Sequence, residues 1–444
     1  MSQEKNELIG LAESLVTYAK KKGADEVEVS MGQGTEFSVD VRNGDIEKLV
    51  EAGSKSLSIR IIKDKKTASV GSSDFDKETL HRLVDNAVKR ADYSSRDPFA
   101  GLPEYDKDAA IIDYEKLDIY DPSIENIKLD QKIGLVKKVE EICLKDKRIS
   151  NSYGASFGNY SGLSVLVNSN GFSGFYRRTS CGLGIYLQAG EGDNKVEDGW
   201  SESSRYFNKL WTPEQIAEAA IHRVTRLIGT KKVKTQNVPV VLEPNMTRSI
   251  LAFLYQCVNG DSIYMKQSFL VDKIGETIAS DTITIVDDGL MPGAPGTRPY
   301  DSEGVSIRKN TVIDSGVLKT YLTDTYAARK LKMKSTGNAS GANNFYLEKG
   351  KYSPEEIIQS VENGLLLTST MGQGTNPVNG DFSRGAFGMW IENGKISYPV
   401  AEITISGNLA TMLKNIDMIG NDLRFNSSIA GPTIKIGEMT IAGV

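Results

Sequence analysis

The sequence predicts an α+β protein of two domains. N-terminal helices lie on an antiparallel meander (1–230), and a mostly antiparallel β domain is built around a central buried helix (231–444). Three observations lead there. A chain of 444 residues is too long for one ordinary core. Period-two apolar runs joined by tight-turn residues recur in both halves, and Asn43-Gly44 is a strong two-residue hairpin signal. A polar, basic stretch from Thr230 to Asn237 separates the halves, and a strand, a turn and an apolar helix begin afresh after it.

Each element has its own local cause. Glu4 to Lys22 puts Leu8, Leu11, Ala12, Leu15, Val16 and Ala19 on one helical face, and Gly23 stops it. Val27, Val29 and Met31, then Phe37, Val39 and Val41, alternate as strand residues; Leu57, Ile59 and Ile61 follow, turned at Asp64-Lys65-Lys66. Asp76 to Ala91 is a second helix with Leu80, Leu83, Val84, Ala87 and Val88 inward. Asp92 to Ser123 reads as a long surface crossing. A third helix is expected over Ile124 to Lys147, and strands over Ser150 to Tyr160, Leu163 to Asn168 and Phe172 to Gln188. Thr212-Pro213-Glu214-Gln215 is a capping box with proline in the first turn, opening a helix to Gly229.

In the second half Val240, Val241 and Leu242 form a short buried strand and Pro244 ends it. Asn245 is the expected cap of a helix through Ile250, Leu251, Phe253, Leu254 and Val258, closed by Gly260. Hairpins are expected at Ser315-Gly316 and Asn393-Gly394. Further helices are expected over Thr323 to Leu331, Ser353 to Asn363 and Asn408 to Ile419, and last strands over Thr433 to Ile436 and Met439 to Ala442.

Composition removes several function classes. A formal net charge of −5 disfavours a general nucleic-acid binder. No apolar run approaches the roughly 18–20 residues that span a bilayer, and the polar start has no apolar signal core, so a cytoplasmic protein is expected. Cys143, Cys181 and Cys257 are far apart and odd in number, which argues against a disulfide framework. With only His81 and His222, a zinc site of two or three imidazoles is nearly excluded by inventory.

The remaining constellations are sparse. Gly372-Gln-Gly374 and Gly341 to Asn344 match neither phosphate-binding glycine motif. Asp301 and Glu303, as alternate residues of a strand, would face the same way and could hold a cation or share a proton; a salt-bridged loop is the blander alternative. Asp261 could act at the helix end or merely shape a turn. Glycine loops with few ionisable groups fit capture of an extended peptide through its main chain better than an acid–base scheme.

Several cassettes jointly resemble the TldD/PmbA family, also called "modulator of DNA gyrase". They are Asn259-Gly-Asp-Ser262, Tyr300-Asp-Ser-Glu-Gly-Val305, Thr325-Tyr-Ala-Ala-Arg-Lys-Leu331, Ser335-Thr-Gly-Asn338, Glu402-Ile-Thr-Ile-Ser-Gly-Asn408 and Met418-Ile-Gly-Asn-Asp422. The resemblance implies two-domain cytoplasmic proteins that pair as a TldD–TldE (PmbA) heterodimer, a zinc metallopeptidase acting on unfolded peptides. It also implies HExxxH on the TldD helix after the buried strand, and a late cysteine. Matched back from Gly260-Asp261, the histidines fall at Leu251 and Gln256 and the glutamate at Ala252; no cysteine follows Cys257. The chain therefore resembles the PmbA/TldE side, which lacks the metal site. The expectation is a non-catalytic subunit without cofactor of its own, zinc being in the partner. A homodimer is possible when the chain is alone, and a hydrolase using Asp301, Glu303 or Asp261, or a non-proteolytic regulator of gyrase or of a toxin–antidote pair, are the rivals. The glycine-flanked loops bearing Tyr300, Asp301, Ser302, Glu303 and Gly304, and Ser335, Thr336, Gly337 and Asn338, are the expected walls of its peptide groove.

Overall fold

The computed structural model describes residues 2–104 and 113–444 of the chain. Helix α1 (Ser2–Lys21) leads into β1 (Glu26–Arg42), which turns at Asn43-Gly44 into β2 (Asp45–Lys63). Both turn residues have positive φ, 53° and 82°, the mirror-image geometry that suits strand twist. A second tight turn at Asp64-Lys65 leads to β3 (Lys66–Ser72). Helix α2 (Lys77–Tyr93) is capped by Asp76, whose carboxylate accepts from the Glu78 and Thr79 amides. Then come α3 (Leu129–Leu144), β4 (Ile149–Asn168), β5 (Ser173–Ala189), β6 (Val196–Ser204) and α4 (Pro213–Thr225), the last opened by the expected capping box. The strands form one antiparallel sheet in the order β3-β2-β1-β4-β5-β6.

Alternate residues of these strands share a face. Val27, Val29, Met31, Ile59 and Val165 pack under α1 and α2 through Leu15, Leu80 and Val84. Further along the same face, Phe37, Val39, Phe157 and Leu183 pack under α3 and α4 through Val136, Val139 and Ile216. Four helices in two pairs thus cover one side, and the other side is left to the C-terminal half. Two expectations are corrected here. The strands expected at 150–160 and 163–168 are one strand, because every residue between them is paired to β1 and β5. The third helix starts later than expected: Asp121 caps a separate 3-10 turn (Pro122–Asn126), and Ile127 and Lys128 are extended before α3 begins. Residues 105–112 of the expected surface crossing lie outside the described residues.

After the basic stretch come β7 (Gln236–Leu242), α5 (Pro244–Val258), α6 (Gly260–Tyr264), β8 (Ile285–Asp288), β9 (Lys309–Asp314) and β10 (Val317–Leu318). Next are α7 (Thr325–Leu331), β11 (Phe345–Leu347), α8 (Pro354–Gln359), β12 (Asn363–Met371), β13 (Thr375–Asn376) and β14 (Asp381–Glu392). The chain ends with β15 (Lys395–Asn408), α9 (Leu409–Lys414), β16 (Ile416–Ile419), β17 (Ile429–Ala430) and β18 (Ile434–Ala442). Strands β12, β7, β18, β15 and β14 pair in that order, and β14 pairs back to β12, closing a ring. A second sheet runs β10-β9-β8-β11-β17. Helix α5 is the buried centre: Ile250, Leu254 and Val258 share one cluster with Val240, Leu365 and Ile436 of the ring and Ile285, Val312 and Phe345 of the second sheet.

Local readings give way where tertiary contacts compete. Asn245 does not cap α5. Pro244 takes the first helical position, where its missing N–H costs nothing, so Glu243 stands at the cap. The Glu243 carboxylate turns instead to Arg226 (2.6 and 2.9 Å) and Arg223 (3.2 Å). Gly260 does not close a helix but opens α6, capped by Asn259. It is glycine because a Cβ there would lie 2.8 Å from Ala327 Cβ of α7 and from Thr323 Cγ2 just before it. The helices expected to reach Asn363 and Ile419 stop early because Asn363 enters β12 and Ile416 enters β16, each taken by strand pairing. The last two expected strands are one, β18, kinked between Ile436 and Met439. No helix among the described residues is long and apolar enough to cross a membrane.

Candidate substrate groove

Helix α5 buries Ile250, Leu251, Phe253, Leu254, Cys257 and Val258. Residues four apart share a helical face, and Arg248, Ala252 and Gln256 form the outward one, with Ala252 and Gln256 exposed. This face carries one guanidinium, one methyl and one amide. At the positions where the resemblance would seat two histidines and a glutamate stand Leu251, only 3% exposed, with Ala252 and Gln256. Among the described residues no group of three or more His, Cys, Asp or Glu is placed to hold a metal ion. His81 is stacked on the Tyr18 ring at 4.0 Å, far along the N-terminal half. The donor set does not fit a zinc centre, since zinc takes imidazole, thiolate or carboxylate. The cysteines offer no nucleophile: burial pushes the thiols of Cys143, Cys181 and Cys257 up to about 12.

The two loops expected to wall the groove do meet. The Ser302 amide donates to Ser340 Oγ at 2.8 Å, and the Ala339 amide donates to Asp301 Oδ2 at 3.1 Å. Gly304, Ser335 and their neighbours Val305, Ser306, Arg308 and Lys334 wall a cleft of about 490 Å³, closed on the other side by Pro103, Asn168 and Phe172. Most of the polar side chains in these loops face inward. Tyr300, Asp301, Glu303, Thr336 and Asn338 are all buried, and so is Gly337; Ser302 is exposed, with Gly304 and Ser335 partly so.

Their partners show what they do. Asp301 and Glu303 lie in a turn, not on a strand: Asp301 Oδ1 accepts from the amides of Glu303 (2.9 Å) and Val305 (3.0 Å). Burial, reinforced by the Glu303 charge, pushes the Asp301 carboxyl up to about 6 despite those donors. Glu303 Oε2 accepts from the first amide of α7, Thr325, at 2.9 Å. Its Oε1 lies 3.7 Å from Arg60 of β2, which also pairs with Glu28. Thr336 Oγ1 donates to Asn338 Oδ1, and Asn338 Nδ2 donates to the wholly buried Asp287. Burial raises the Asp287 carboxyl as well. Tyr300 sits edge-on between Phe172 and Tyr176 at 4.9 and 5.3 Å, and Gly174 of β5 makes room, since a Cβ there would lie 2.6 Å from the ring. These residues therefore lock the C-terminal loops onto the N-terminal sheet and leave the cleft wall to Gly304, Ser335 and the side chains of Arg308 and Lys334.

A second recess opens beside α5. Its floor is the sheet face opposite the four helices. Gly158, Gly182 and Ser203 pair in one row; Ser156, Gly184 and Ser201 in the next; Gly154, Tyr186 and Gly199 beyond. Cavities of about 330 and 400 Å³ lie over these rows and share Ser156, Gly184, Ser201, Arg248 and Asn426. The Arg248 guanidinium overhangs the trough and has no hydrogen-bond or ion-pair partner among the described residues. Nothing in the linear order of residues announces this floor; the signal is Gly or Ser on alternate positions of three separate strands. Asp261, the other carboxylate singled out, lies at the start of α6, where burial and Asp324 raise its carboxyl.

Three family models match the chain in succession: the PmbA/TldA metallopeptidase domain 1 over 27–91, its central domain over 122–228 and its C-terminal domain over 235–443. The chain is 34% identical to the metalloprotease PmbA of Escherichia coli O157:H7, over 95% of this chain and 93% of that one. It is 33% identical to the metalloprotease PmbA homolog of Haemophilus influenzae, over 100% of this chain and 98% of the other. Its fold is similar to the crystal structure of a candidate modulator of DNA gyrase from Bacteroides thetaiotaomicron, with a TM-score of 0.91, 32% identity and 98% of both chains covered. It is also similar to TldE from Thermococcus kodakarensis, with a TM-score of 0.84, 26% identity, and 98% of this chain and 100% of that one covered.

Proposed function

The chain belongs to the PmbA/TldD/TldE metallopeptidase-like family, and from that premise we propose that it is the non-catalytic, metal-free subunit of a heterodimeric peptidase. Its partner is a family member with HExxxH on the equivalent helix, which holds the zinc. This chain completes the chamber and keeps an extended, unfolded peptide beside that metal. In the partner's absence it pairs with itself. One observation carries the reading: the outward face of α5 presents Arg248, Ala252 and Gln256, with no group to bind zinc and none to take a proton from water.

The chemistry left to this chain is binding and positioning. A floor of glycine and serine lets a peptide main chain approach closely, and the cleft at Gly304 and Ser335 adds the cationic side chains of Arg308 and Lys334. An independent hydrolase would need a free carboxylate, but Asp301 and Glu303 have amide donors and an arginine on them. Three free, buried cysteines suit a reducing compartment, which supports a cytoplasmic setting for the complex. The test is co-expression with the family's HExxxH member. The two chains should copurify, and a disordered peptide should be cleaved by the mixture and not by this chain alone. Robust cleavage by this chain alone, abolished by Asp301→Asn or Asp261→Asn, would replace the proposal with the independent hydrolase. A gyrase effect that persists without the HExxxH partner would favour a non-proteolytic regulator.

A further inference from the structure

Three arginines converge where the two halves meet. Arg205 donates through Nη1 to Thr179 O at 3.3 Å and through Nη2 to Pro295 O, and its buried Nε has no partner among the described residues. Arg298 donates to Gly296 O (3.1 Å), Ala342 O (2.9 Å) and Ser340 O (3.5 Å). Two guanidiniums thus flank the Pro295-Gly296 turn from opposite domains. Arg178, next to Thr179 in the chain, is exposed and lies over the Tyr160 ring at 5.6 Å. Among the described residues every hydrogen bond of Arg205 and Arg298 ends on a neutral carbonyl, and none of the three arginines forms an ion pair with a carboxylate. Asp287 and Asp301 act on Arg298 only through space, since their oxygens hold Asn338, Asn343 and backbone amides. Burial and the other two arginines push Arg205 down to about 10.

The cluster is positioned to serve the trough. Arg178 is on the β5 face that carries Gly182 and Gly184, four and six residues on, so it stands roughly 13 Å before the floor. Arg298 reaches the loop of Ser340, which is bonded to Ser302. Charge without a counter-ion, at one end of a groove whose floor admits a main chain, calls for an anion on the occupant. We propose that Arg178, Arg205 and Arg298 seat a carboxylate of the bound peptide, either its C-terminus or an acidic side chain, and so fix the direction in which the chain lies. This rests on the peptide-groove reading above.

The experiment is fluorescence anisotropy on the full chain with a short labelled peptide of neutral side chains. One version has a free C-terminal carboxylate, one a C-terminal amide, and one the amide plus an internal glutamate. Charge-assisted hydrogen bonds predict that the free acid binds about tenfold or more tighter than the plain amide, and that Arg178→Gln narrows the gap. Arg178 is exposed, so its replacement leaves the fold intact, which circular dichroism checks. Tight binding of the internal-glutamate amide alone would identify an acidic side chain as the seated group. Equal affinity of all three overturns the anion seat and leaves the groove standing. Failure of all three to bind overturns both.

Discussion

Asp301 shows how a loop carboxylate can be structural and still titrate. Its carboxyl rises from an ordinary 3.8 to about 6 in the fold because burial outweighs its three amide donors. The folded state therefore binds the proton more tightly than the unfolded chain. Its contribution to stability is fully present below about pH 4 and is lost as pH rises through about 6. Comparing wild type with Asp301→Asn by urea unfolding should show the wild type losing on the order of 3 kcal/mol relative to the variant across that window. A difference that stays flat from pH 4 to 7 would show that Asp301 does not titrate there. Tyr300 gives a sharper division of roles. Its ring fills a slot against Phe172 and Tyr176, while its hydroxyl is buried without a partner among the described residues. Tyr300→Ala should cost about 3–5 kcal/mol, and Tyr300→Phe should be neutral or slightly stabilising. Loss of peptide binding in a stable Tyr300→Phe would instead make the hydroxyl a ligand contact.

Among the elements, α5 depends on contacts made outside itself. Glu243 gives up the cap and holds Arg223 and Arg226, whose side chains are only 11% and 15% exposed. Glu243→Gln should cost about 3 kcal/mol, because Arg226 loses the negative charge it pairs with and Arg223 is left with Asp198 alone. Gly260→Ala should cost about 1–3 kcal/mol as α6 is forced off α7, read as a fall in the unfolding midpoint at unchanged m-value. Elements were legible in the sequence wherever their cause is local. The turns at Asn43-Gly44, Ser315-Gly316 and Asn393-Gly394, the capping box at Thr212 and the cap at Ser353 form as the residues dictate, since turn and cap chemistry acts within about four residues. The ends of α8 and α9 are not local. There strand pairing across the fold decides, and no neighbouring residue records it. The cap at Glu243 is a related case: Asn245 is the better capping residue, but Pro244 places the first turn one residue too early for it.

For the molecule as a whole, a six-stranded sheet unites the first two family regions, and the C-terminal region adds a closed strand ring about α5. The loops at 300–304 and 335–344 are legible as a pair from their glycine-flanked composition, and they meet through Ala339 and Ser340. Which way their side chains turn is settled by the sheet they dock on, through Gly174 and Arg60, far away in sequence. The trough was harder to read, because its floor comes from β4, β5 and β6 together and its overhang from α5. The central claim is that this chain supplies the shape of a peptidase chamber while a partner supplies the metal. The most direct measurement is zinc content, by plasma mass spectrometry, of the chain purified alone and of its complex with the HExxxH family member. The account predicts no zinc above background in the lone chain and stoichiometric zinc in the complex. Stoichiometric zinc in the lone chain, removed by substitution at Gln256 or Asp261, would contradict it.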